Sequence, residues 1–227
     1  MDDPERGFDD WADAHAARLA NASMDDEAFY RQIADEADGP VLEVGCGTGR
    51  IYLALLAAGV EAYGIDVSEA VLDVLRAQAD ARGLTPHVRR ADMRTFEPQR
   101  QYAMIVVPFR TFLHNRTVED QQAALDRFRD ALDPGGRLVL NFFVPSFEVI
   151  CERYGTTQTE SLFMEGEEYE VTTRTELVDE IEQVARTERV LRKDGDVIRE
   201  ASFELSLLPK QQFEILLETT GYADWTV

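Results

Sequence analysis

The sequence predicts an α/β fold: a doubly wound, mostly parallel sheet with N-terminal helices and an antiparallel β insert after the fifth strand. Three observations carry this. From residue 40 to about residue 150, short apolar runs alternate with longer amphipathic runs, the pattern of parallel βαβ units covered on both faces. The first apolar run leads into three alternate glycines and then a helical stretch. Beyond residue 151 the period changes to a partial two-residue alternation rich in β-branched residues.

The elements follow in order. Residues 1–38 form a helical cap, with helical spacing in Trp11, His15, Arg18 and Leu19 and again in Phe29 and Ile33, expected to lie across the mouth of the sheet. Taken singly, Trp11, Phe29 and Tyr30 read as packing residues. Residues 39–150 form the core, with strands over 41–44, 61–65, 87–90, 102–107 and 137–144 and helices over 50–58, 68–82 and 118–132. Ser68 suits an N-cap and Gly83 a left-handed C-terminal residue. Asp133-Pro134-Gly135-Gly136 reads as turn punctuation before the next strand. Residues 151–208 form the insert, with strands over 171–191 and 197–208 and a type I′ hairpin signal at Asp194-Gly195. In the last unit, 209–227, Pro209 opens a helix that Gly221 ends, and 223–227 reads as the start of a further core strand. A final antiparallel strand after it is expected to be missing, or to be supplied by the insert.

Composition narrows the function classes. The 227 residues carry 44 acidic and 23 basic side chains, a net charge of −21, which disfavours nucleic acid and anionic membranes as partners. Lys193 and Lys210 are the only lysines, and the acids are scattered over helix faces. This resembles proteins of salt-loving cells, whose acidic surface serves solubility. No apolar run approaches the ~20 residues a membrane span needs, and the first residues are acidic where a secretory signal is basic and then apolar, so the expected location is cytoplasmic. Cys46 and Cys151 form neither a CxxC pair nor a metal-ligand cluster with histidine, so no metal is expected.

The segment Val41-Leu42-Glu43-Val44-Gly45-Cys46-Gly47-Thr48-Gly49-Arg50 is the most informative. Without side chains, its loop can turn sharply and approach a ligand, and the helix start beyond it offers unpaired N–H groups and a positive dipole end. The spacing is GxGxG. A dinucleotide fingerprint would need glycine where Arg50 stands, and the Glu43 carboxylate opposes a pyrophosphate but suits a ligand with positive charge.

On Glu43, Gly45, Gly47 and Gly49, together with Tyr63-Gly64-Ile65-Asp66-Val67-Ser68, the sequence resembles the class I, seven-strand S-adenosylmethionine-dependent methyltransferases over about residues 28–227. The resemblance implies S-adenosylmethionine as cofactor and S-adenosylhomocysteine as product. Glu43, Gly45, Cys46, Gly47 and Gly49 would form its cradle, although Cys46 alone reads as a small residue in a tight turn. Asp66, with Val67 beside it, would accept hydrogen bonds from a ribose, a role it would equally fill for NAD. Asp92 would accept from the adenine amino group while Met93 packs on the ring. Pro108 and Tyr30 complete the implied cofactor set.

The segment 107–115 follows the fourth strand, where doubly wound folds place ligands, and Phe109, Arg110 and Phe112 are its candidates for the acceptor wall. Phe109 and Phe112 fit a core role equally well. A sulfonium methyl is already activated, so the enzyme's task is to align an acceptor and exclude water. A base is needed only if the acceptor arrives protonated, and His114 is the histidine placed for it; a backbone-bonded loop histidine is the plainer reading. The insert lies where related enzymes build a lid or a dimer contact, which suggests a small-molecule acceptor and allows a homodimer. The alternatives are a nicotinamide-dependent oxidoreductase and a protein that binds the nucleoside without turnover.

Overall fold

A computed structural model describes residues 11, 12, 14, 17, 26–144 and 146–227, so His15, Arg18 and Leu19 of the expected cap lie outside the described residues. In chain order the elements are α1 (Glu27–Asp35), β1 (Val41–Val44), α2 (Arg50–Ala57), β2 (Ala62–Asp66), α3 (Glu69–Ala81), β3 (His87–Arg90) and β4 (Tyr102–Val107). A 3-10 turn (Thr111–His114), α4 (Val118–Ala131), β5 (Leu132–Leu140) and α5 (Phe147–Arg153) follow. The chain continues through β6 (Thr157–Met164), β7 (Glu167–Asp179), β8 (Val184–Lys193), β9 (Asp196–Ser206) and α6 (Lys210–Thr219).

Strands β1 to β5 pair in parallel in the order β3-β2-β1-β4-β5, so the chain reverses its direction across the sheet between β1 and β4. That reversal leaves a crevice at the carboxyl ends of β1 and β4. The two central strands are apolar in both alternations because both faces are covered. Leu42, Val44, Ile105 and Val107 pack with Phe112, Phe128 and Phe213 on one side, while Val41, Met104 and Val106 pack with Ile51, Leu53, Leu72 and Leu75 on the other. Helices are closed as their sequences dictate: the Ser68 hydroxyl accepts from Val71 N at 3.2 Å, and that of Thr117 from Asp120 N at 3.1 Å.

Four strands, β6-β7-β8-β9, form a separate antiparallel sheet. Its hairpins Glu165-Gly166 and Asp194-Gly195 have positive φ at both central residues, 52° and 82° in the first and 52° and 89° in the second, as a type I′ turn requires. The run 171–191 is not one strand. It folds back at Asp179, whose Oδ1 accepts from Ile181 N at 2.9 Å and Glu182 N at 2.8 Å. This Asx-type turn uses neither glycine nor proline, so the usual punctuation is absent. Trp11 and Ala14 pack on this sheet against Leu162, Val171 and Leu191, not across the mouth of the parallel one.

Three further expectations are corrected. β5 starts at Leu132, ahead of the supposed punctuation, which it absorbs, and its ladder with β4 ends at Val107↔Leu140 because β4 stops before Pro108. Helix α5, capped by Ser146, runs across residues 150–151, carrying an exposed Cys151. Residues 223–227 are exposed and form no strand, since no described neighbour offers them a ladder. No helix among the described residues is long and apolar enough to cross a membrane.

Candidate functional site

The loop after β1 is bolted to β2: Gly45 N and Cys46 N both donate to Ile65 O, at 2.8 and 3.1 Å. Its outer glycines exist for packing. A Cβ on Gly45 would fall 2.2 Å from Thr111 Cγ2, and one on Gly49 would fall 2.9 Å from Leu53 and Leu75. Gly47 differs: a Cβ there meets nothing nearer than Gly45 O at 4.0 Å, while its φ of 54° still selects glycine. The middle of the loop therefore presents bare main chain to open space. Cys46 turns inward; a Cβ on Gly64 would lie 2.8 Å from its Sγ, and burial pushes the thiol pKa well up. Only the main chain of Cys46 is left to face a ligand.

Two carboxylates flank the loop. Asp66 Oδ2 accepts from Gly47 N at 2.9 Å and Oδ1 from Ser68 N at 3.0 Å, so the end of β2 braces the glycine turn. Beside it, Val67 O accepts from Arg90 Nε at 2.9 Å. Glu43 is 4% exposed, and its Oε2 has no hydrogen-bond partner among the described residues. Burial raises its pKa well above the usual carboxylate value; Arg50 opposes the rise, and Asp66 and Asp26 add to it. Arg50 forms a two-pronged ion pair with Asp26, which fastens the start of α1 beside the loop. Tyr30 of α1 is thereby buried, and its hydroxyl is pushed up to about 12 by desolvation and then by Asp26 and Glu43. Helix α2 begins at Gly49 with no side-chain cap, so its first N–H groups are available.

After β3, Asp92 is engaged. Arg94 Nη2 donates to its Oδ2 at 2.6 Å and Arg94 N to its Oδ1 at 2.8 Å, while Nη1 of the same arginine reaches Asp120 at 3.1 Å. Burial alone would raise the Asp92 pKa, but these bonds hold it below the ordinary range. The carboxylate expected to read adenine thus already has a strong partner. Met93 Sδ accepts from Asn115 Nδ2 at 3.2 Å.

After β4 and Pro108, Phe109 and Arg110 take φ of 56° and 67°, two successive left-handed residues that cost about 1–3 kcal/mol each. Arg110 N donates to Asn141 O at 3.2 Å and the Thr111 hydroxyl to Pro108 O at 2.8 Å, which hold the corner. Phe109 is half-buried beneath its neighbour's guanidinium, 5.2 Å from the ring. Phe112 belongs to the core and not to an acceptor wall: it is fully buried, 6.5 Å from the Phe128 ring and 5.7 Å from that of Phe213. The half-buried His114 faces Phe203 of β9 at 5.9 Å. Burial and then the Arg110 charge lower its imidazole from 6.5 to about 4, so it is neutral near pH 7. Arg189 of β8 covers Phe203 at 5.0 Å, and Tyr154, just after α5, has a pKa raised by burial with Arg110 opposing. Phe203 and Tyr154 escaped the sequence reading because only the packing of the insert on the β4 loop brings them here.

The geometry admits a positively charged nucleoside ligand. Gly47 leaves open space where a side chain would intrude, and the buried Glu43 oxygen lacks a donor. Among the described residues, no group of three or more His, Cys, Asp or Glu is arranged to hold a metal ion.

Residues 41–136 match the family profile of a methyltransferase domain. The chain is 33% identical over 100 residues to ribosomal protein L11 methyltransferase of Thermus thermophilus, covering 44% of this chain and 37% of that protein. It is 32% identical over 114 residues to a demethylmenaquinone methyltransferase of the same species, covering 49% and 50%. The alignments span between about a third and two thirds of the length of the first such relatives. In fold it resembles the CcbJ methyltransferase of Streptomyces caelestis, with a TM-score of 0.81 and 21% identity over 97% of this chain and 88% of that one. It also resembles S-adenosylmethionine-bound CalS10, an amino pentose methyltransferase of Micromonospora echinaspora, with a TM-score of 0.69 and 22% identity over 92% and 86%.

Proposed function

We propose that this chain, which carries a methyltransferase domain on the class I Rossmann-like fold, binds S-adenosylmethionine at the ends of β1 and β4 and methylates a small-molecule acceptor. The observation that carries the reading is the glycine loop itself: bare main chain at Gly47 facing open space, beside a buried Glu43 oxygen that lacks a donor. Bound there, S-adenosylmethionine supplies an activated methyl group and a positive charge that Glu43 and Asp66 suit.

The chain's own residues orient and shield. Main chain at Gly45, Cys46, Gly47 and Gly49 would hold the donor, with Asp66 and Val67 on the side of its ribose, Met93 on that of the base, and Pro108 with Tyr30 closing the sides. Asp92 joins the set only if it shares its carboxylate between the base and Arg94. Phe109, Arg110, Tyr154 and Phe203 wall the acceptor side and exclude water. His114, held neutral, accepts the acceptor's proton at an imidazole nitrogen. The small acceptor is supported by the demethylmenaquinone and amino pentose methyltransferases, although the ribosomal-protein enzyme shares the domain. A net charge of −21 argues against nucleic acid or an anionic membrane as partner and fits a cytoplasm rich in salt.

Titration calorimetry with S-adenosylhomocysteine and with NADH tests the reading. The expected outcome is binding of the first and no heat from the second; binding of NADH alone sinks the assignment. A methyl-release screen over amines, phenols and carboxylic acids then identifies the acceptor class.

A further inference from the structure

Short helical turns leave their last carbonyls without partners inside the turn. At the turn Thr111–His114, three carbonyls are instead met by buried side chains from three places. Asn115 Nδ2 donates to Phe112 O at 3.0 Å, Ser206 Oγ at the end of β9 donates to Leu113 O at 3.2 Å, and Gln121 Nε2 on α4 donates to Asn115 O at 3.0 Å. Gln121 Nε2 also reaches Ser206 Oγ at 3.4 Å, which closes the set into one network. Gln121, Asn115 and Ser206 are each no more than 3% exposed, where a broken hydrogen bond is most costly.

His114 lies between Leu113 and Asn115, both so clamped, and the wall of its ring, Phe203, belongs to the same strand as Ser206. The geometry points to Gln121 as a positioning residue for His114: its carboxamide ties α4 of the parallel unit to β9 of the antiparallel sheet and fixes the main chain on both sides of the imidazole. This rests on the reading of His114 as the proton acceptor. Gln121 and Ser206 also line a cleft of about 230 Å³ with Arg116, Ile181 and Gln183, so a loosened clamp admits water behind the turn. The charged and titratable groups around His114 include Arg110 on its own loop, Tyr154 after α5, and Arg189 of β8 across Phe203. None of them takes part in the clamp's four hydrogen bonds.

Gln121→Leu keeps the bulk and removes the donor. The expected result is a kcat about tenfold lower with the KM for S-adenosylmethionine within about twofold of the parent. In NMR spectra of the three histidines, His114 should stay neutral in the parent between about pH 5.5 and 7.5, and begin to protonate there in the variant as water reaches it. Ser206→Ala removes the other arm and should reproduce both changes, and combining the two should add little, as members of one network do. Should Gln121→Leu fail to fold, Ser206→Ala carries the same readouts.

A folded variant with the parent's kcat and the parent's His114 titration overturns the proposal. So does a lost kcat with an unchanged titration, because the loss then has another origin. The titration needs no cofactor, so failure to bind S-adenosylhomocysteine would sink the proposed function separately. Undiminished kcat in His114→Ala removes the base and the positioning role with it.

Discussion

Glu43 ends β1 with a carboxylate oxygen that the folded chain leaves without a hydrogen-bond partner among the described residues. A site of this kind trades stability for binding. The Glu43 pKa in the folded chain lies well above its reference value of 4.5, so the folded state holds the proton more tightly than the unfolded state. The stability this group contributes is therefore present below that reference value and lost as pH rises through the folded pKa. Glu43→Gln removes the ionisation. Without ligand, the variant should melt at a higher temperature than the parent near pH 8, with the gap closing toward pH 5, while S-adenosylhomocysteine binds about tenfold to a hundredfold more weakly. Thermal melts across pH and calorimetry read both effects; a variant that melts lower at pH 8 contradicts the account. Residues of this sort were legible because their chemistry is local: Glu43, the glycines and Asp66 stand at fixed offsets within strand-loop-helix units. Phe112 was not, since an aromatic in a loop serves a core or a pocket with the same sequence, and only the positions of Phe128 and Phe213 decide.

The elements of the parallel unit follow from periodicity and caps, and the pattern of the insert is weaker because its strands bury little on their outer faces. β6 reads Thr-Gln-Thr-Glu-Ser-Leu-Phe-Met, with Leu162 its only buried side chain, so its alternation scarcely shows. The β7–β8 turn is hidden for a different reason: Asp179 makes it with side-chain bonds, whereas Asp194-Gly195 announces itself. Gly195, at φ 89°, is a strict requirement of the last hairpin. Gly195→Ala should cost about 1–2 kcal/mol, lowering the melting temperature by about 2–8 °C, and leave affinity for the nucleoside unchanged. An unchanged melting temperature would mean that the hairpin has another way to turn.

At the scale of the whole molecule, the excess of acids sets how the fold answers to its solvent. With a net charge of −21, folding brings like charges together, and much of the surface repels itself at low ionic strength. Raising potassium chloride from about 0.1 M to 1 M shrinks the screening length from about 10 Å to about 3 Å and should raise the melting temperature steadily. A melting temperature that falls with salt would show that surface ion pairs such as Arg76 with Glu69 and Asp73 outweigh the repulsion. Charge is legible from composition alone. How the antiparallel sheet meets the β4 loop is not, because that contact joins residues about ninety positions apart, as the Ser206–Leu113 bond does. The two thiols of the chain, meanwhile, have opposite fates: Cys46 is sealed within the glycine loop and Cys151 stands open on α5. A maleimide dye therefore has one place to go, and the native sequence comes with a single optical handle on α5.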